Sequence, residues 1–178
     1  MAKRDPRPKL QVRKEVKRRA PSRQLDVMDL TARLEKIADP KKLAKALDML
    51  KKDHFKLFAE ITDKRLVGVI NSQTKPDLVY SCTISSDGAF SCCTPDLRPC
   101  WGMRGTLCKH LLLLIVGLAH SGEMDPNVID RWASFAARLR PTRPKKILTD
   151  TLIRYKGAEA GEIDWRPTET IPEDYYAL

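Results

Sequence analysis

Four of the five cysteines, Cys92, Cys93, Cys100 and Cys108, fall within seventeen consecutive residues, and His110 follows the last of them by two positions. The flanks of this cluster are patterned. Upstream, Val79, Ser81 and Thr83 alternate with Tyr80, Cys82 and Ile84; Ser85-Ser86-Asp87-Gly88 reads as a turn, and Ala89-Phe90 opens a second strand. This is a hairpin, in which Gly88 can take the positive φ that a tight turn demands. Downstream, Leu111 to Leu118 is an unbroken apolar run that reads as a buried helix and is too short to span a bilayer. Soft thiolates and one imidazole, gathered at a strand end and a helix start, form the donor set of a tetrahedral zinc ion.

Cys108 and His110, two apart at the start of a helix, can both reach one ion, and the helix N-terminus favours the thiolate form of Cys108. Lys109 and Arg104 would offset the negative charge of a three-thiolate site. Buried cysteines can also pack simply as small hydrophobes, but four in so short a stretch beside a Cys-x-His pair argue for a metal. A catalytic thiol is the other possibility, with Cys108 as nucleophile and His110 as base. Side chains two apart at a helix start diverge, however, and no orienting acid is evident. There is no C-x-x-C pair, phosphate-binding glycine loop or H-E-x-x-H. Four protein ligands would leave no position for a catalytic water, so the expectation is a structural site and no enzyme. Cys92 and Cys93 are strand neighbours that should point to opposite faces. Either could join Cys100, Cys108 and His110, or both could serve and leave Cys100 free.

Residues 78–118, about a quarter of the chain, resemble the SWIM zinc finger. That family has a β-hairpin ending in Cys-x-Cys and Pro, a variable loop, and Cys-x-His opening an apolar helix. Cys108-Lys109-His110 followed by LLLLIVGL is similar to its second half. Cys92-Cys93-Thr94-Pro95 departs from its first, with threonine in the second ligand slot. The resemblance therefore implies Zn2+ on Cys92, Cys108 and His110, with Cys100 supplying the missing thiolate and Cys93 as the alternative to Cys92. It also implies an interaction domain that binds DNA or protein within a larger assembly.

The charge is unevenly placed. Residues 1–24 hold ten Lys/Arg against two acidic side chains, whereas 156–178 hold two basic against six acidic. The first segment, with three prolines and few large apolar groups, is expected to be a disordered basic arm whose residues 3–23 could touch nucleic-acid phosphates. It has no stacking aromatic. The last is expected to be an acidic, extended tail, where Trp165, Ile171, Tyr175 and Tyr176 could dock on a protein partner.

Between them, residues 25–155 read as one zinc-containing α+β domain. Leu30, Leu34 and Ile37 share a helical face. Asp39-Pro40 caps a second helix carrying Leu43, Leu47, Leu50, Leu57 and Ile61 inward, with Phe55 and Phe58. Its lysine-rich outer face is expected to be solvated, and His54 is expected to be a partly exposed helix residue. Three short antiparallel strands then include Arg65–Ile70 and the hairpin. Ser121-Gly122 should end the apolar helix, with His120 as a cap rather than a ligand. Asp125-Pro126 should start another helix with Ile129, Trp132, Phe135, Ala136 and Leu139 on its inner side, and 147–155 should form one more. The fold class expected is thus a helical N-terminal part, a small antiparallel sheet, a zinc-bound β-β-α finger and further C-terminal helices. A charged N-terminus, no bilayer-length segment and an odd, clustered cysteine count predict an intracellular protein, cytoplasmic or, in a eukaryote, nuclear. Such a protein would act as an adaptor for a protein partner or as a nucleic-acid binder, with no membrane and no small-molecule substrate.

Overall fold

The computed structural model describes residues 24–52, 56–75 and 77–161 of the chain. The arm to residue 23, His54 and the tail from residue 162 lie outside the described residues. The helices are α1 (Val27–Ile37), α2 (Pro40–Lys51), α3 (Lys109–His120), α4 (Pro126–Ala136) and α5 (Lys145–Glu159). A single sheet, β1 (Lys56–Ile61), β2 (Arg65–Asn71), β3 (Val79–Ser85) and β4 (Phe90–Cys93), is an antiparallel meander in chain order. The α+β class is therefore as the pattern indicates. Among the described residues, no helix is long and apolar enough to cross a membrane.

Three helix starts are set by aspartate. The carboxylates of Asp26, Asp39 and Asp125 accept from backbone N–H groups of the first turns of α1, α2 and α4, and Pro40 and Pro126 occupy a first-turn position where no N–H is needed. The second helix is shorter than expected. α2 stops at Lys51, and Phe58 and Ile61 belong to β1, which pairs with β2 from Lys56↔Ile70 to Ile61↔Leu66. The sheet therefore has four strands, not three. Helix and strand are hard to separate by periodicity in so short an apolar run, and long-range pairing decides between them.

The register assigns the faces of the sheet. Ala59, Gly68, Cys82 and Cys92 lie side by side across the four strands. This row faces α3. A Cβ on Gly68 would lie 2.7 Å from a Leu114 methyl, so the absent side chain lets the helix settle against the strands. The neighbouring row, Phe58, Val69, Ser81 and Cys93, faces the other way. There Phe58 and Val69 pack with Leu152 of α5, and Ser81 Oγ donates to Leu148 O at 3.3 Å. Both faces are thus covered, which is why all four residues of β4 are buried.

α3 is buried on nearly its whole circumference, from His110 to Ala119, and it packs against α2, α1 and the sheet. α4 packs chiefly on α1, where Arg33 and Asp130 form an ion pair at 2.8 Å, and less on α3 than expected. Ile129, Trp132 and Ala136 are buried, but Phe135 and Leu139 remain 42% and 46% exposed. α5 is longer than the expected 147–155 and runs into the stretch read as tail.

Candidate metal centre

Cys92 stands on β4, and the chain then turns tightly. Leu97 N–H donates to Thr94 O at 2.9 Å, Thr94 N–H to Arg98 O at 3.0 Å, and Leu97 takes a φ of 59°. This turn returns Cys100 to Cys92, whose carbonyl accepts the Cys100 N–H at 2.9 Å. Cys100 precedes a short 3-10 helix, Trp101–Met103, that is tied down from α2. Lys42 Nζ donates to Gly102 O at 2.6 Å and to Thr106 Oγ1 at 2.8 Å. One side chain of the lysine-rich face of α2 is therefore structural. Cys108 is the N-cap of α3, its Sγ accepting from Leu111 N at 3.5 Å, and His110 lies in the first turn.

Cys92, Cys100, Cys108 and His110 are all buried, and their donor atoms lie within 4.8 Å of one another. The imidazole presents Nδ1, 3.5 Å from Cys100 Sγ and 3.8 Å from Cys92 Sγ. A tetrahedral ion with bonds of about 2.3 Å to sulfur and about 2.0 Å to nitrogen needs a sulfur–nitrogen edge of about 3.5 Å. The four residues therefore fit a four-coordinate metal ion. Tyr80 stacks on the His110 ring, centroids 3.8 Å apart and planes 19° from parallel, and so holds Nδ1 toward the sulfurs. Gly102 closes in from the loop. A Cβ there would lie 3.1 Å from Cys108 Cβ and 3.6 Å from Cys100 Sγ.

The electrostatics of the bare cluster point the same way. Burial pushes the Cys92 and Cys108 thiols well above their ordinary range, while hydrogen bonds from Cys108 and Cys92 hold Cys100 far below it. Of the three buried thiols, Cys100 is thus the one held toward the thiolate form, and Cys92 and Cys108 toward the thiol. A divalent cation is the group that would let all three ionise. Lys109, which donates to Gln73 Oε1 at 2.8 Å, is pulled down by burial and by Lys45, and pushed back up by Cys100 and Cys108. Arg104 lies over the ring of Trp101, 4.7 Å from its centroid.

Cys93 is not in the cluster. It occupies the α5 face of the sheet, and burial pushes its thiol up to about 12. His120, exposed at the end of α3, is also outside it. Thr94, in the slot where the resembled family carries a ligand, hydrogen-bonds Asp96 and Arg98 O instead. Sequence reasoning missed Cys82, whose Sγ lies 3.6 Å from Cys92 Sγ. Counting outward from the turn at Asp87-Gly88 would have placed it opposite Cys92. No family model, curated protein or solved structure matches this chain.

Proposed function

We propose that the chain is a non-catalytic interaction module of the SWIM type, stapled by zinc and serving as an adaptor in a larger protein assembly. The observation that carries this reading is the closed donor set. Three sulfurs and one imidazole nitrogen use all four positions of a tetrahedral ion, and all four residues are buried. Soft thiolates favour zinc over harder divalent ions. When bound, the ion supplies a cross-link and the charge that holds three thiolates together. The protein does the rest: Tyr80 orients the imidazole, the Leu111 amide steadies Cys108, and Lys42 fixes the loop that carries Cys100.

Elemental mass spectrometry of the purified chain should find one zinc per molecule. Cys108→Ser should lose the metal together with cooperative unfolding. A Cys108→Ser chain that stays folded, or holo-protein alkylated at Cys108 by iodoacetamide as fast as a free thiol, would instead mark Cys108 as a reactive nucleophile. The adaptor role predicts that a protein partner survives deletion of residues 1–24 and is lost on Trp165→Ala.

A further inference from the structure

An open groove of about 990 Å3 lies beside the metal centre, between the turn after β4 and the segment leading into α5. Its chemistry is one-sided. Arg104, Arg140, Arg143 and Lys145 line it, and none of the four has an ion pair among the described residues. The one lining carboxylate, Asp96, is already matched by Arg98 at 2.6 Å. α5 opens there at Pro144 with no side-chain cap, so its positive end adds to the same field.

Trp101 also lines the groove, and it is the most exposed large apolar side chain among the described residues, at 82%. Exposed indoles are usually avoided, and this one is presented rather than loose. Its 3-10 helix is pinned by Lys42, and the Arg104 guanidinium lies over its ring. A flat aromatic face amid cations that have no ion pair among the described residues matches a ligand that alternates flat rings with negative charges.

We propose that this groove binds single-stranded nucleic acid, a base stacking on Trp101 and adjacent phosphates lying on Arg104, Arg140, Arg143 and Lys145. A duplex fits less well, because its base faces are already stacked and cannot reach an indole. The ten cations of residues 1–24 would add attraction of the same sign, but lack the aromatic surface that the groove supplies. This inference rests on the proposed function in one respect: the metal would hold Cys100, the residue next to Trp101.

The test is fluorescence anisotropy of a labelled oligo-dT of about 12 nucleotides with the full, metal-loaded chain over a range of salt. Metal per chain is measured on every sample. Trp101→Ala should weaken binding by about five- to hundredfold at fixed salt and leave the salt slope unchanged. Arg140→Ala with Arg143→Ala should instead lower the slope by about 1.4. A duplex of equal length should bind more weakly than the single strand. The proposal is overturned if these variants bind like the parent, which would assign any binding to the arm, or if the metal-loaded chain does not bind at all. A chain that takes up no metal would overturn the metal reading alone, since the Trp101 and arginine comparisons still decide the groove.

Discussion

One step along β4 separates a candidate metal donor from a packed thiol. Cys92 shares its face of the sheet with α3 and the cluster, whereas Cys93 lies on the α5 face and stays protonated at neutral pH. Cys92→Ser should therefore abolish stoichiometric metal binding, and Cys93→Ser should retain one ion per chain, as elemental mass spectrometry would show. Cys82 holds a subtler place. With its Sγ 3.6 Å from that of Cys92, it can donate its S–H to a bound thiolate and stabilise the charge. Such outer partners are worth about 10- to 100-fold in metal affinity. Cys82→Ala should weaken zinc by about that factor in competition with a chromophoric chelator, with the stoichiometry unchanged. None of this could be read from composition, because adjacent cysteines are chemically equal until the strand gives each a side.

At the scale of elements, the contact between sheet and helix depends on a residue with no side chain. A Cβ at Gly68 would meet Leu114 Cδ1 at 2.7 Å and the Phe58 carbonyl at 3.1 Å. The leucine could rotate, but α3 is closed in by α1, α2 and the sheet. Gly68→Ala should cost about 1–3 kcal/mol by overpacking, seen as a lower urea midpoint with the metal still bound. α5 has its own pH signature. Burial, and then the hydrogen bond to Glu159 at 3.0 Å, push the Tyr155 hydroxyl up to about 12. A pKa raised by folding contributes stability that is complete below the ordinary value of 10.0 and is lost as pH rises through about 12. Alkaline titration of tyrosinate absorbance should show a late component that disappears in Tyr155→Phe, and the parent's extra stability over that variant should vanish across the same window.

For the molecule as a whole, the metal would connect β4, the 3-10 segment and α3, three parts of one continuous core. Chelation should accordingly lower the midpoint of a single unfolding transition rather than melt a separate finger, as calorimetry can show. Because Cys92 and Cys108 hold their protons in the bare cluster, zinc must displace both. Affinity should fall by about a hundredfold for each unit of acidification near neutral pH. In the metal-free fold, the raised Cys92 and Cys108 thiols contribute stability that is lost as pH rises past their ordinary 9.0, whereas the lowered Cys100 contributes stability that is lost as pH falls.

The sequence by itself determined the local features of this protein: the aspartate caps of α2 and α4, the turn at Gly88, the apolar α3 and the Cys-x-His start of that helix. Each depends on residues within a few positions of one another, where backbone geometry and spacing suffice. Only the tertiary structure decided what depends on residues far apart. Pairing with β2 made Lys56–Ile61 a strand instead of more helix. The side of the sheet on which α3 packs decided that Cys92 rather than Cys93 joins the cluster, and it set Cys82 beside Cys92. The fold of the loop joined Trp101 to cations some forty residues away in a single groove. Side, register and neighbourhood belong to the packed chain, because no short stretch of sequence contains both partners of a long-range contact.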